Sequence, residues 1–254
     1  MSTVHLDGEK FEELLRCLSI LKDNCNDIDI REGIIRQRTN DNTTIFEIDM
    51  TPLLADLSIP LTTIKQKLDL FKMFTGQEVT IEVDDTSFKF TDQYSSVKFI
   101  SPNLDFLDNK FIAQEDFENI FDTDEEDLIL NCEISERISE RMRIVAQVFN
   151  INTVCVTFDG NSAEISAGTQ AKDQSANFLS GIVADREMQA SSYLVIIPFI
   201  IDHDETINFK MYNCTDGESA SNMSVNFFTS AISDIDIRVY SRSTLAEIEN
   251  DEEE

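Results

Sequence analysis

The sequence predicts an α+β fold built from two similar domains, and two observations carry that prediction. Residues 133–157 combine a helical stripe of apolar side chains with a strand after a short turn, and residues 9–30 repeat that order. Ile138 in the later helix lies 127 residues after Phe11 in the earlier one, which is half of the 254-residue chain. This repetition indicates two domains on one plan, the alternative being a coincidence between two ordinary helix–strand pairs.

The first domain is predicted over residues 1–102. Apolar residues at helical spacing mark its helices, and alternating apolar and polar residues mark its strands. Gly76 is suited to end the second helix, because glycine readily adopts the left-handed conformation common just beyond a helix. The predicted elements are a helix at 9–22, strands at 28–37 and 43–50, a helix at 61–74, and strands at 78–83, 87–91 and 96–100.

The second domain is predicted over residues 128–243, followed by an acidic tail at 244–254. Its first strand leads into a helix that carries Arg137 and Arg141 on its polar side. Pro198 interrupts a later strand and is expected to open a short fourth helix. The predicted elements are a strand at 128–132, a helix at 135–149, strands at 153–158, 163–167, 177–184 and 193–199, the short segment 198–202, and strands at 207–213, 224–230 and 236–241.

The net charge of −29 is concentrated in two segments. Residues 103–127, which link the domains, contribute −9, and residues 247–254 contribute −6. The linker also contains several phenylalanine and isoleucine residues, more than a disordered acidic segment would have. We therefore expect the linker to run extended across the protein surface, with its apolar side chains packed and its carboxylates in water.

The sequence lacks the motifs of catalysis and cofactor binding. The P-loop, the dinucleotide-binding glycine pattern and the G-x-S-x-G nucleophile motif are all absent. Two histidines, and five cysteines without a C-x-x-C pair, argue against a zinc site or a histidine-based catalyst. The pair Asp84 and Asp85 is interpreted as a hairpin turn rather than as part of a metal site. We therefore predict that the protein is not an enzyme and has no cofactor.

The cellular location is predicted from what the chain does not contain. No apolar run reaches the roughly 18 residues of a membrane-spanning helix. The first ten residues lack the basic start and apolar core of a signal peptide. We expect a soluble, cytoplasmic protein whose cysteines are reduced.

Three stretches of the sequence resemble DNA sliding clamps. They are GEKFEELLRCLSIL near the start, CEISERISERMRIVAQVFNINTVCVTFDGNSAEISA in the second half, and SYLVIIPFII followed by TINFKMY. With the order of the helices, strands and acidic linker, they are most similar to the clamps of T4-like phages and more distantly to the proliferating cell nuclear antigen family. The similarity extends in outline over residues 9–242.

The resemblance implies both a fold and a function. Each domain would place two helices against antiparallel sheets. Three copies would join through edge strands, at 78–83 or 96–100 in the first domain, into a ring around double-stranded DNA. Such a homotrimer would tether the replicative DNA polymerase for processive synthesis and would be placed on DNA by a clamp loader. If a phage encodes it, it would act in the host-cell cytoplasm.

Two sets of residues are predicted to carry this function. Helices 61–74 and 135–149 are basic islands in an acidic chain, as a DNA-facing wall requires, although such side chains also solubilise amphipathic helices. The residues expected at DNA phosphates are Lys65, Lys72, Arg137, Arg141, Arg143 and Arg16. By the resemblance, partner peptides would dock beside the linker. The residues expected to wall that groove are Phe106, Leu107, Phe111 and Ile112, whose alternative role is to hold the linker down.

Two other classes of function remain open from the sequence. An acidic inhibitor that mimics DNA would explain the net charge of −29, but it would not explain the basic helix faces. A structural or virion protein of duplicated domains would explain the repetition alone. A ring predicts a trimer in solution, whereas a mimic would often be a monomer or a dimer.

Overall fold

The computed structural model describes residues 2–102, 111–121, 123–169, 174–214 and 223–247. The chain divides into two compact units. Unit 1 comprises Met1–Ile120 with Ala231–Arg238, and unit 2 comprises Phe121–Ser230 with Val239–Glu254. The division after Ile120 falls inside the predicted linker. Within the described ranges, no helix is both long and apolar enough to cross a membrane.

The described residues of unit 1 form two antiparallel sheets and several helices. Of these helices, α1 and α3 pack against each other. The elements of unit 1 are β1 (Ser2–Leu6), α1 (Gly8–Leu21), β2 (Ile28–Arg31), β3 (Ile34–Arg38), β4 (Thr44–Asp49), α2 (Thr51–Leu54), β5 (Ile59–Leu61), α3 (Ile64–Phe71) with a 3-10 turn (Lys72–Phe74), β6 (Val79–Asp84), β7 (Ser87–Thr91), β8 (Ser96–Ile100), α4 (Gln114–Phe121) and the start of β14 (Ile235–Glu247). One sheet has the strand order β1-β6-β7-β8. The other has the order β4-β3-β2-β5, with β14 beside β4.

Phe90 on β7 lies at the centre of the core of unit 1. Its ring centroid is 4.4 Å from that of Phe71 on α3 and 6.3 Å from that of Phe11 on α1. Since aromatic side chains bury a large apolar area, these contacts attach both helices to the four-stranded sheet. Asp7 caps the start of α1. Its carboxylate accepts a hydrogen bond from the backbone N–H of Lys10 at 2.9 Å and so satisfies one of the free donors of the first turn.

Unit 1 confirms the predicted helix at 9–22 and the role of Gly76, which follows the second helix with a φ of 73°. The helix predicted at 61–74 is α3, and it begins only at Ile64. Residues 59–61 instead pair with β2 as a strand, and Thr63 has a left-handed φ of 51°. The linker is not extended throughout. Residues 114–121 form the helix α4, because Phe117, Ile120 and Phe121 recur at helical spacing.

Two features concern the four-stranded sheet of unit 1. Residues 2–6 form a strand, β1, that the sequence analysis did not predict, and β1 pairs with β6 along its whole length. The strand β6 therefore lies between β1 and β7, so the proposed edge strand at 78–83 is wrong. The other candidate, at 96–100, is β8, which does lie at the edge of this sheet.

The described residues of unit 2 form a mostly antiparallel arrangement of long strands with one α-helix. Its elements are a 3-10 turn (Glu125–Asp127), β9 (Leu128–Ile134), α5 (Glu136–Phe149), β10 (Thr153–Thr169), β11 (Gln174–Val195), a second 3-10 turn (Ile197–Phe199), β12 (Ile207–Cys214), β13 (Met223–Ile232) and the end of β14. The strands β10 and β11 pair with each other, and β9, β12 and β13 are neighbours in that order. In the core, the rings of Phe209 and Phe228 stack with centroids 4.6 Å apart, and Phe199 packs edge-on against both.

The predicted helix at 135–149 is confirmed, and Asn150 ends it with a left-handed φ of 53°. The strands predicted at 153–158 and 163–167 are parts of β10, whose pairing with β11 shifts register near Gly160. The short helix expected after Pro198 is only a 3-10 turn. Buried residues alternate there, at Phe199, Ile201 and His203, and a continuing helix would turn some of them away from the core.

Gly33 in the turn between β2 and β3 has a φ of 76°, and a Cβ atom there would meet the carbonyl oxygen of Ala55 at 2.3 Å. We therefore expect Gly33→Ala to lower the free energy of unfolding by about 2–5 kcal/mol, from left-handed strain plus overpacking. Gly76→Ala is the matched control, since Gly76 has a φ of 73° and nothing within 4 Å of such a Cβ. The control should cost only about 1–2 kcal/mol. Equal losses for both variants in denaturant unfolding would contradict the close approach.

Candidate nucleic-acid interface

Three lysines of unit 1 gather along the groove between α1 and α3. Lys65 lies on the exposed side of α3 and Lys72 on that of the 3-10 turn after it, whereas Leu68 between them is buried. The groove has a volume of about 330 Å³ and is lined by Ser19, Lys22, Asp23, Lys65, Leu68, Asp69 and Lys72. The fold thus adds Lys22 to the two predicted lysines. Its signal in the sequence is a cation at the end of a helix, where the helix dipole favours positive charge.

The lysines of this groove are paired only loosely. Lys65 Nζ is 3.3 Å from a carboxylate oxygen of Asp23, and Lys72 Nζ is 2.7 Å from one of Asp69. The hydrogen bond and charge of Lys72 hold the pKa of Asp69 below its usual range. All four side chains are more than half exposed, so these pairs contribute little stability and can exchange for other anions.

The exposed face of α5 in unit 2 carries two arginines one turn apart. Arg137 and Arg141 are exposed, and within the described part of the chain neither guanidinium has a hydrogen bond or an ion pair. Arg143 is half-buried, and its Nη2 donates a hydrogen bond to the carbonyl oxygen of Ile200 at 3.0 Å. Arg143 therefore attaches the segment after the 3-10 turn to α5. Arg16, the remaining predicted residue, is half-buried on α1 and does not line the lysine groove.

The residues predicted to wall a partner groove are only partly described. Phe106 and Leu107 lie outside the described residues. Phe111 is half-buried, and the guanidinium carbon of Arg31 lies 4.2 Å from its ring centroid. Ile112 is only 7% exposed, and its N–H donates to the carbonyl oxygen of Arg36 at 2.9 Å. A partner would therefore reach Phe111 more readily than Ile112.

Each unit also has exposed apolar residues that sequence reasoning did not find. In unit 1 these residues are Leu70, Met73, Tyr94 and Ile100. In unit 2 they are Ile144, Val148, Val183 and Tyr193. Ile100 belongs to the edge strand β8, and Val183 belongs to a part of β11 that pairs only with β10 among the described strands. Periodicity assigned α3 and α5 a buried stripe, but it could not show which further apolar residues stay in water.

The pair Asp84 and Asp85 lies in a hairpin turn of unit 1. Asp84 closes the turn between β6 and β7, as predicted, by accepting hydrogen bonds from the Ser87 hydroxyl at 2.7 Å and from Thr86. Those hydrogen bonds hold the pKa of Asp84 far below its usual range. Across the described ranges, no three His, Cys, Asp or Glu side chains are grouped so that they could hold a metal ion.

Three solved structures that share this fold are structures of PCNA proteins. No protein-family model matches the sequence, and no curated protein matches it. A structure of the C-terminal region of FEN-1 bound to A. fulgidus PCNA superposes with a TM-score of 0.59 at 12% identity, covering 99% of this chain and 100% of that one. The PCNA2–PCNA3 complex from Sulfolobus tokodaii gives a TM-score of 0.57 at 9% identity, with 95% and 99% covered.

A third structure of this kind is the proliferating cellular nuclear antigen of Entamoeba histolytica, with a TM-score of 0.57 at 9% identity and with 95% and 98% covered. At these identities the likeness concerns the fold. A closer relation to the clamps of T4-like phages stays a prediction. The chain has the two-domain α+β fold of the sliding clamps, with few helices and large antiparallel sheets.

Proposed function

We propose that the protein is a DNA sliding clamp, which encircles double-stranded DNA and tethers a replicative polymerase without being an enzyme itself. One observation carries the proposal. Exposed basic side chains stand on α3 and α5 of a clamp fold, in a chain whose net charge is −29. An acidic protein is repelled by DNA at most of its surface, so a basic face confines any contact to the helices that bear it.

The basic residues suit a sequence-independent contact with DNA. Lys65, Lys72, Arg137 and Arg141 are long, exposed cations that meet phosphate oxygens without requiring base edges. The loose ion pairs of the lysine groove exchange carboxylates for phosphates at little cost. The affinity for DNA need not be high, because a closed ring leaves DNA by opening or by sliding off an end.

The edge strands support a ring of identical copies. An edge strand presents unpaired N–H and C=O groups, and a head-to-tail contact that closes on itself satisfies them. We propose that β8 of one copy pairs with residues 176–183 of β11 in the next. As a whole β11 lies between β10 and β9, but this stretch pairs only with β10 among the described strands. Exposed Leu70 and Met73 in unit 1 and Ile144 and Val148 in unit 2 then supply apolar area beside the paired strands. Three copies close the ring by the resemblance stated above.

Replication proteins are the proposed partners of this ring. The A. fulgidus structure holds the C-terminal region of FEN-1, which is a peptide segment on a protein of the same fold. By analogy, we propose that the polymerase and the clamp loader dock short segments beside the linker of this chain. Phe106, Leu107 and Phe111 are the proposed apolar contacts, and Ile112 holds the linker from beneath.

The assembly is tested by placing a charge on the proposed edge. The unmodified protein should have a mass in light scattering near three times 28.9 kDa. Ile100→Asp should shift it toward the monomer, because each carboxylate buried at the interface costs at least about 2 kcal/mol. Tyr193→Asp is the control, since Tyr193 is exposed but follows Ser192, where β11 pairs with β10 on one side and with β14 on the other. A monodisperse monomer for the unmodified protein at micromolar concentration would refute the ring.

The DNA contact is tested by reversing the charge of α5. Arg137→Glu with Arg141→Glu should weaken binding to a duplex of about 30 base pairs. The slope of log affinity against log salt should fall by about 2 for each copy that contacts the duplex, since each lost phosphate contact lowers it by about 0.9. Arg143 is left unchanged, because it holds the Ile200 carbonyl. Processive primer extension with the polymerase and loader of the same replication system should fall, while the mass of the ring stays the same.

The control for this charge reversal is Arg186→Glu, which alters an exposed arginine on β11 whose Nη2 lies 3.8 Å from Oδ1 of Asp127. This control should leave both the salt slope and primer extension close to those of the unmodified protein. If the double variant of α5 behaves as the control does, the assignment of the DNA-facing helix is wrong.

A further inference from the structure

The linker segment 111–120 is attached to the rest of unit 1 by two contacts of the same chemical kind. In the first, the carboxylate of Asp29 on β2 is only 1% exposed and lies 2.7 Å from Nε of Arg31. The guanidinium carbon of Arg31 is in turn 4.2 Å from the ring centroid of Phe111. A buried carboxylate thus orients an arginine, and that arginine lies against a phenylalanine of the linker.

The second contact repeats this order with other residues. Glu47 on β4 is 3% exposed, and its Oε1 accepts a hydrogen bond from Nη2 of Arg238 on β14. The guanidinium carbon of Arg238 is 5.2 Å from the ring centroid of Phe117 on α4. The other carboxylate oxygen of Glu47 accepts a hydrogen bond from Nε of Arg36. Both oxygens of this carboxylate are therefore occupied by arginine.

The backbone of β3 holds the start of the linker segment. The carbonyl oxygen of Arg36, whose side chain is bound to Glu47, accepts the N–H of Ile112 at 2.9 Å. Gln37 forms an isolated β-bridge with Phe111. Arg36 therefore receives the linker through its backbone and is bound to Glu47, its neighbour across the strand pair, through its side chain.

Energetics decide what the carboxylates contribute. A guanidinium on a flexible side chain loses conformational entropy when it is held against a ring, and an existing ion pair removes much of that cost. A cation over an aromatic face is attracted to the ring, and the attraction is stronger when the pair is removed from water. Phe117 is 1% exposed, so its apolar burial alone would also hold α4 in place. The two accounts differ in whether the carboxylates matter.

We propose that Asp29 and Glu47 are positioning residues for the linker, and that each acts through one arginine on one phenylalanine. The attachment of residues 111–120 therefore depends on charges buried in unit 1 and not only on apolar burial. This inference concerns the single chain and does not rest on the proposed function.

The test is native-state hydrogen exchange on the full chain in two single variants, Asp29→Asn and Glu47→Gln. Each substitution keeps the side-chain shape and removes the charge. The amide protons of Ile112 and Phe117 should exchange about tenfold faster, as loss of about 1.4 kcal/mol predicts for local opening. The amide of Phe90 in the four-stranded sheet should be unaffected. Glu82→Gln is the matched control, since it removes an ion pair with Lys89 at 3.3 Å in the same unit.

A double-mutant comparison separates positioning from general stability. If Asp29 acts through Arg31 on Phe111, then Asp29→Asn should have little further effect on Ile112 exchange once Phe111→Leu is present. Should Glu47→Gln fail to fold, Arg238→Lys decides for the second contact, because lysine keeps the charge but loses the planar face. Unchanged exchange at Ile112 and Phe117, equal acceleration at Phe90, or full additivity with Phe111→Leu would each overturn the proposal.

Discussion

Backbone hydrogen bonding at sheet edges is the constraint on which the rest of this structure depends. Both units consist mainly of antiparallel strands, so every strand end and every outer strand leaves N–H and C=O groups that need partners. The chain meets this need locally where β1 adds to β6 and where Phe111 bridges to β3. Among the described strands, β8 has no second partner in its sheet, and exposed Ile100 lies on that strand. A long-lived exposed edge of this kind invites pairing with another chain.

The distribution of charge also distinguishes parts of this structure. The chain carries 49 acidic and 20 basic residues, so basic side chains that cluster in space are informative. The lysine groove between α1 and α3 and the arginine pair on α5 are two such clusters, and both stand on helices. Other basic residues serve the interior instead: Arg36 and Arg238 share the carboxylate of Glu47. Arginines bound to a buried acid neutralise it, whereas the exposed Arg137 and Arg141 remain available to a ligand.

Sequence reasoning succeeded where the signal is local and failed where it is not. The helix at Gly8–Leu21, the helix at Glu136–Phe149 and the turn at Asp84 all follow from spacing and from turn chemistry within a few residues. The strand β1 was missed because its five residues become a strand only through pairing with β6, about 75 residues later. The basic helices were predicted, but Lys22 entered the groove only through the packing of α1 against α3. Arg143 looked equivalent to its neighbours until its contact with Ile200 was known.

The linker shows why such non-local contacts resist prediction. Its composition indicated packed phenylalanines and wet carboxylates, and the described part has both, since Phe117 is buried and Glu115, Asp116 and Glu118 are exposed. What holds Phe117 is Arg238, a residue 121 positions later in the chain whose orientation depends on Glu47. No spacing rule connects these three positions, because β14 brings Arg238 beside β4 only after the sheet has formed. The path of the linker is therefore set by charges inside unit 1, and any partner that docks beside it meets a surface those charges have positioned.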